Sequence, residues 1–462
     1  MSPAAVLAPL LLLAMLIMAG RPLVERLPGS RPLRSAYAVL AGLWLLHLLL
    51  TLLDVVGVGW SVPLVAGALL LFALWRLRER MPAVPSLRPG WGDVVALLAT
   101  LAFAALAATR WIAFSDFVYH WGLKGHRFLL ARHVDYDYLA QPWNWVLHPD
   151  YPNLYPELLA VTAMLGGGWE EGALMLWSPI LVALLLVVAR ETLAPGDSGP
   201  RAGAPGLADP WVRNAVLAML GCALAAFGIG HLMAGSADWF VALALLAALP
   251  PLTRPADGAG DLQLGLCAAV AAAAKAEGVA LAGFLVAVQL GRHLLALRRT
   301  RPAWRSRAAW RSGLAGLAML VLPPASVVLP WWLRAAHHGL FQPFNSGAPE
   351  LARVRIVADA VAESMAVAAW GGLTLALLLV PLLLARGGPL RPFATVVALQ
   401  ALLYGWQYLT APVDTHFLVL STFPRLALHL LPSVMVAAAL AWLGGAAPEA
   451  AVARGGPDPA PA

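Results

Sequence analysis

The sequence predicts an all-α fold, a polytopic bundle of transmembrane helices. Hydrophobic residues make up 61% of the chain and charged residues only 12%, whereas a soluble domain carries about 25% charged residues. The mean hydropathy is +0.76, and apolar runs recur along most of the chain. Many of these runs are long enough to cross the hydrocarbon core of a bilayer as helices, which predicts the fold class.

Each long apolar run is assigned as one crossing, because a simple span needs roughly 20 residues. We expect about 11 to 14 spans. The thirteen predicted segments are 4–19, 36–53, 62–76, 94–113, 172–190, 213–231, 238–252, 262–275, 277–291, 312–333, 359–385, 393–410 and 424–444. A further run, 154–167, is expected to be an interfacial or re-entrant piece.

The arginines predict the orientation. The first apolar run, Ala4 to Met18, is followed rather than preceded by arginines, the reverse of a secretory signal, so we expect a retained helix with its N-terminus outside. This places 22 of the 31 basic residues in inner loops, in agreement with the positive-inside rule. Short basic loops explain the net charge of +7 and predict no nucleic-acid partner.

The predicted organisation is one transmembrane domain over 1–444. Its first large outer loop, 114–156, is expected to contain interfacial helices and the candidate catalytic residue. The tail, 445–462, is rich in Ala, Pro and Gly and is expected to be disordered.

The loop 114–156 concentrates ionisable and aromatic side chains. If Phe114 to Leu130 is helical, a polar stripe and an aromatic stripe lie about a quarter turn apart. The polar stripe holds Asp116, His120, Lys124 and Arg127. The aromatic stripe holds Phe114, Phe117, Trp121 and Phe128, as in a helix resting among lipid headgroups. The loop fits either a carboxylate held beside cations at the membrane surface or an ordinary interfacial helix.

Lysine usage is selective. Of the 31 basic residues 29 are arginine, and the two lysines, Lys124 and Lys275, both map to the predicted outer face. An ammonium is a compact point charge on a flexible stem, which suits contact with a phosphate. The alternative is chance placement of two rare residues.

Other polar residues on the predicted outer face leave alternatives open. Glu277 pairs with Lys275 at a helix end, and Asp238 in GSADW fits a helix N-cap as well as a site. His148 and Asp150 in HPDYPNLYP fit two ligands of a divalent ion or a hydrogen-bonded turn. Asp414 and His416, which precede Arg425 in the last predicted outer loop, either extend the same pocket or cap a helix.

In their order and membrane side, these motifs resemble the GT-C superfamily of integral membrane glycosyltransferases. The closer resemblance is to its bacterial branch related to protein mannosyltransferases and aminoarabinose transferases. The matching stretches are SDFVYHWGLKG, HPDYPNLYP, GSADW, KAEG and DTHFLVLSTFPRL, which span Asp116 to Leu426. The chain departs from the family pattern because Asp116 has no second acidic neighbour, and Ser115 precedes it where relatives often have Trp.

The resemblance implies a GT-C-like bundle in the bacterial inner membrane, with its active site on the periplasmic side. It implies inverting transfer of a sugar from a polyprenyl-phosphate carrier to a glycan, lipid or protein acceptor, with Asp116 as general base. Candidate residues for the carrier phosphate are Lys124, Lys275 and Arg425. The wider substrate-binding set adds His120, Arg127, His148, Asp150, Asp238, Glu277, Asp414 and His416. No cofactor is assigned, and a divalent cation is left open.

The residue types fit that chemistry on their own terms. An acceptor hydroxyl needs a base for its proton, and a positioned carboxylate provides one. A phosphate leaving group needs cations rather than the second carboxylic acid of a glycosidase. The alternatives are a transporter or flippase of a lipid-linked precursor, which would place charges near mid-membrane, and an accessory membrane subunit.

Overall fold

A computed structural model of the chain describes residues 1–77, 89–194, 206–299, 307–341, 348–366 and 388–443. This part is a helical bundle, and the one β-type pairing within it is an isolated parallel bridge between Ala113 and Ala234. The helices of the first half are α1 (Pro3–Val24), α2 (Arg31–Val55), α3 (Val62–Leu77), α4 (Trp91–Ala108), α5 (Gly122–Ala131), α6 (Tyr136–Leu139), α7 (Leu154–Gly166), α8 (Glu171–Leu174) and α9 (Trp177–Leu193). Those of the second half are α10 (Pro210–Gly230), α11 (Asp238–Thr253), α12 (Gly258–Ala274), α13 (Ala276–Arg299), α14 (Arg307–His337), α15 (Arg353–Ala366), α16 (Arg391–Thr410) and α17 (Thr415–Leu443).

Eight segments of the described residues are long and apolar enough to cross a membrane, and α3, α7, α11 and α12 are shorter apolar helices. The chain is therefore a multi-pass helical membrane protein, as the sequence predicts. Several helix ends differ from the predicted spans, among them those of α4 and α17. Helix α4 ends at Ala108 rather than 113, before a turn in which Arg110 has a positive φ of 67°. Helix α17 begins at Thr415 rather than 424 and continues through Pro424. The tail 445–462 and residues 367–385 of the span 359–385 lie outside the described residues.

Small residues let the first two helices approach closely. A Cβ on Gly20 would lie 1.9 Å from the carbonyl oxygen of Ala38, and one on Gly42 would lie 2.2 Å from that of Leu16. Each glycine is therefore replaceable only if the backbones of α1 and α2 separate. Close backbone contact of this kind is a usual way for membrane helices to associate.

Helix α11 lies at the centre of the bundle. Its residues are apolar on every face, and almost all are buried, as expected of a helix that is surrounded by others. It contacts α9, α12, α16 and α17. Because α11 is enclosed, its first residue, Asp238, lies inside the protein rather than in solvent.

The start of the loop 114–156 is helical over 115–131, as predicted, but it is not the amphipathic interfacial helix that the sequence indicates. A π-helical turn, Phe117–Trp121, precedes α5, and such turns recur at functional sites. The four aromatic residues predicted to rest among headgroups, Phe114, Phe117, Trp121 and Phe128, are all buried in the protein core. The exposed aromatic side chains of this region are instead Trp111, Tyr119, Trp143 and Trp145.

The run 154–167, predicted to be interfacial or re-entrant, forms α7. Its helix packs against α1 and α5, and ten of its residues are buried. It brings Glu157 against His47, with 2.7 Å between Oε2 and Nδ1. This buried pair joins α7 to α2.

Candidate functional site

The carboxylate of Asp238 is the centre of a buried polar site. It is fully buried, at 0% exposure. Lys275 Nζ and His429 Nε2 each lie 2.7 Å from Oδ1, and Ser236 Oγ donates to Oδ2 at 2.5 Å. Arg425 Nε lies 3.3 Å from Oδ2. Four donors from three separate stretches thus compensate one buried charge, as a buried carboxylate requires.

Arg425 connects Asp238 to Asp116. Its Nη2 lies 2.5 Å from Asp116 Oδ2, and its guanidinium carbon lies 5.0 Å from the ring centroid of Phe114. Asp116 is only 8% exposed. Burial raises the pKa of Asp116 above its ordinary value, although the charges of Arg425 and Lys275 oppose the rise. Asp116 is thus a more basic carboxylate than one in water.

A short backbone link brings Asp116 to the start of α11. The Phe114 amide donates to the Ala234 carbonyl at 2.8 Å, and the Ala234 amide donates to Ile112 at 3.2 Å. The next residue, Gly235, has a φ of +85°. A Cβ there would lie 2.5 Å from the ring of Phe117. The GSADW turn therefore needs this glycine both for its backbone conformation and for the aromatic contact.

Helices α13 and α16 contribute further polar side chains to the site. Glu277 Oε1 lies 3.6 Å from Lys275 Nζ. Gln400 donates to Tyr404 Oη at 2.8 Å, and Tyr404 Oη lies 2.6 Å from His429 Nδ1. Because an ionised Asp238 can only accept, His429 carries its proton on Nε2, and its Nδ1 accepts from Tyr404. We call Asp116, Asp238, Lys275, Glu277, Arg425 and His429 the outer charge cluster, after the membrane face on which the sequence predicts it.

Lys124 occupies a separate position beside the cluster. It is fully buried, and its Nζ donates to the His148 carbonyl at 3.0 Å. The His148 ring stacks on His120 at 4.7 Å and on Tyr151 at 4.6 Å between centroids. Burial, His148 and the cations Lys124, Arg425 and Lys275 lower the pKa of His120 to about 3. Burial and Lys124 lower the pKa of His148 to about 4, so both rings are neutral at pH 7.

We expect Lys124 to make stability pH-dependent. Burial lowers the pKa of Lys124 from 10.5 to about 7, against the opposing charge of Asp150. Between pH 7 and 10.5 the unfolded chain binds the additional proton, so the free energy of unfolding rises with pH in this window. In Lys124→Met this slope should disappear. Unfolding in mixed micelles across this pH window measures the slope.

The control is Arg355→Met, which removes an exposed cation on α15 and should keep the wild-type slope. An unchanged slope in Lys124→Met would mean that Lys124 keeps its ordinary pKa in the folded protein.

Several predicted site residues lie away from the outer charge cluster. Arg127 pairs with Asp135 at 2.7 Å. Asp414 accepts from the Phe417 amide at 2.7 Å and so caps α17, and exposed His416 pairs with Glu363 at 2.9 Å. The predicted polar stripe is therefore divided among different partners. Of the predicted set, the structure brings together Asp116, Asp238, Lys275, Glu277 and Arg425, with His120, Lys124, His148 and Asp150 in the adjoining loop.

Asp238 does not have the predicted alternative role of an N-cap. It is the first residue of α11, Ala237 occupies the cap position, and the Asp238 amide donates to Ser236 Oγ at 3.1 Å. No group of three or more His, Cys, Asp or Glu side chains is placed to hold a metal ion in the part of the chain that the structure describes. Asp150 contacts the rest of the fold through its carbonyl, which accepts from Trp331 Nε1 at 3.0 Å.

His429 is the functional-site residue that sequence reasoning missed. It is one turn after Arg425, so both project from the same face of α17 toward Asp238. Histidine within an apolar span is unusual, and such residues usually contact a polar partner inside the bundle. That signal was present in LALHLLP.

Comparison with family models, with curated proteins and with solved structures finds no match for this chain. The fold and the site define a class, a multi-pass helical membrane protein in which ionisable residues from distant stretches converge in its interior.

Proposed function

We propose that this protein is a membrane glycosyltransferase that transfers a sugar from a polyprenyl-phosphate carrier to an acceptor, with inversion. The proposed location is the outer face of the bacterial inner membrane. The observation that carries the proposal is the contact of Arg425 with both Asp116 and Asp238, with Lys275 on the other side of Asp238. A base and two cations thereby share one small volume.

In the proposed reaction, the acceptor oxygen attacks the anomeric carbon opposite the carrier phosphate. The bond between this carbon and the phosphate oxygen breaks, and its electron pair stays on the phosphate. The acceptor proton passes to Asp116, whose raised pKa suits a general base. Arg425 and Lys275 stabilise the charge that develops on the leaving phosphate.

The carrier phosphate would compete with Asp116 for Arg425. In the described structure Arg425 is shared by two carboxylates, and its Nη2 contact to Asp116 is the shorter of the two. A phosphate that accepts from this nitrogen would release Asp116 to accept the proton of the acceptor. Carrier binding and activation of the base are therefore coupled in the proposal.

Binding of undecaprenyl phosphate to the full chain in nanodiscs tests the proposal. We expect Arg425→Gln to weaken binding by about 10- to 100-fold, since a hydrogen bond to a charged group contributes about 1.5–3 kcal/mol. Arg425→Lys should recover part of the loss. Native mass spectrometry measures the bound fraction, and a thermal melt of each variant reports folding.

The matched control is Arg355→Gln, which removes an arginine that is 91% exposed at its side chain and should bind as the wild type does. Undecaprenol, which lacks the phosphate, should bind much more weakly. Equal binding of undecaprenol and undecaprenyl phosphate, or wild-type binding in folded Arg425→Gln, contradicts the proposal.

A flippase for a lipid-linked precursor is the second candidate. It is favoured by the buried series of hydrogen bonds from Gln400 through Tyr404 and His429 to Asp238, because ionisable groups inside a bundle often mark proton relays. Translocation of a fluorescent lipid-linked sugar across vesicles containing the protein distinguishes the candidates. A transferase moves the sugar to an acceptor, whereas a flippase moves the intact lipid.

A further inference from the structure

A second polar cavity lies where α2 ends, on the predicted outer side of the bundle. Its volume is about 350 Å³, which lies within the size range of small-molecule sites. Its walls come from the end of α2, the segment 133–137 and the end of α14. The polar side chains used below are Asp54, His133, Tyr136, Asp137, Arg334 and His338. We call it the Asp54 cavity.

Asp54 is a buried carboxylate with few partners. Its side chain is 4% exposed. Its one hydrogen bond to the described residues comes from the Val134 amide, at 3.4 Å to Oδ1. The nearest cation, Arg334, places Nη1 3.9 Å from Oδ2, which is beyond hydrogen-bond length. A buried acceptor left this weakly bonded is costly, and a ligand hydroxyl in the cavity would satisfy it.

Tyr136, Arg334 and His338 form a second polar part of the cavity lining. The rings of Tyr136 and His338 stack at 4.5 Å with an angle of 6° between their planes. Arg334 Nη1 donates to Tyr136 Oη at 3.4 Å. Burial and His337 lower the pKa of His338, so its neutral ring offers one donor and one acceptor at pH 7. This part of the lining therefore offers a ligand both hydrogen-bond donors and hydrogen-bond acceptors.

The charge of the Asp54 cavity differs from that of the outer charge cluster. Asp54 and Asp137 face it with one guanidinium, that of Arg334, while Asp135 is paired with Arg127. With one guanidinium among these residues, the cavity lacks the several cations that a phosphate needs, so it is unsuitable for the carrier headgroup. Alternating donors and acceptors match neutral hydroxyl groups, each of which both donates and accepts.

The Asp54 cavity and the region beside the outer charge cluster are lined by parts of the same two segments. The first segment is the loop 114–156. Its residues 133–137 line the cavity, and its residues His148, Asp150 and Tyr151 lie beside the cluster. On α14, Arg334 lines the cavity, and Trp331 one turn earlier donates to the Asp150 carbonyl. A ligand in the cavity would thus contact the loop that follows Asp116.

We propose that the Asp54 cavity binds a neutral, hydroxyl-rich sugar group, which is a part of the acceptor other than the hydroxyl that reacts at Asp116. The acceptor assignment rests on the proposed transferase function, whereas binding of neutral sugars does not. Asp54 accepts from ligand hydroxyls, and Arg334 and His338 donate to them. The carrier and the acceptor would then be recognised by opposite chemistry, cations for the phosphate and carboxylates for the hydroxyls.

Saturation-transfer NMR with the full chain in nanodiscs tests the proposal, since nanodiscs avoid sugar-based detergents. The probes are methyl glucoside, methyl galactoside and methyl mannoside, compared with glucosamine and glucose 6-phosphate. We expect at least one neutral glycoside to give a signal that falls at least about fivefold in Asp54→Asn, since one hydrogen bond to a charged group contributes this much or more. His338→Phe, which changes a more accessible residue, should lower the same signal.

The control Asp359→Asn makes the same chemical change on an exposed residue of α15 and should keep the wild-type signal. Equal signals in the wild type and in both cavity variants overturn the proposal, as does stronger binding of glucosamine or glucose 6-phosphate. If Asp54→Asn does not fold, His338→Phe decides the result. Loss of carrier binding in Arg425→Gln alone would leave the Asp54 cavity result unaffected, so the two proposals can fail separately.

Discussion

Asp116→Asn is expected to lower the rate of sugar transfer by about 10²- to 10⁴-fold, the usual contribution of a general base. The amide keeps the shape of the side chain but takes no proton from the acceptor. It also removes one of the two carboxylates that share Arg425. Undecaprenyl phosphate should therefore bind at least as tightly as it does to the wild type.

Because the transfer rate should fall while carrier binding is kept, the two measurements distinguish a loss of catalysis from a loss of folding. A misfolded variant would lose both, whereas loss of a base removes only transfer. Transfer is measured in reconstituted membranes that contain the carrier-linked sugar and a membrane extract as acceptor, at equal protein levels. Asp359→Asn, an exposed aspartate variant, should transfer at the wild-type rate. Wild-type activity in Asp116→Asn would remove this residue from the mechanism.

Asp238→Ala is expected to lower the free energy of unfolding by about 3–5 kcal/mol, the usual cost of removing one partner of a buried ion pair. Lys275, Arg425 and His429 would then face one another without the carboxylate that they share. The fully buried position leaves little water to take its place. Unfolding in mixed micelles of increasing denaturing detergent measures the change.

A double variant shows whether the loss comes from the uncompensated cations. Adding Lys275→Met to Asp238→Ala removes one of them and should restore part of the stability, so the two effects are not additive. Asp359→Ala breaks an exposed pair with Arg355 and should have little effect, as surface pairs usually do. A loss for Asp238→Ala no larger than that of Asp359→Ala would contradict the central role of this carboxylate.

Hydropathy predicted the multi-pass helical organisation well, because it depends on local composition. The long apolar helices of the described residues agree with an all-α bundle. The pairing of Lys275 with Glu277 was also predictable, since the two residues are close in sequence. The predicted interfacial position of the aromatic stripe was wrong, since Phe117, Trp121 and Phe128 pack into the protein core. Periodicity identifies a face but not what covers it.

The sequence by itself determined the fold class and the concentration of unusual polar residues near predicted outer helix ends. The tertiary structure decided which of these residues meet. Arg425 reaches Asp238 across 187 positions, His429 does so across 191, and Asp414 and His416 remain outside. The physical reason is that hydropathy sets whether a segment enters the membrane, whereas side-chain packing between helices sets its rotation and depth. A shift of one helical turn would move Arg425 away from both carboxylates, and composition alone does not distinguish those arrangements.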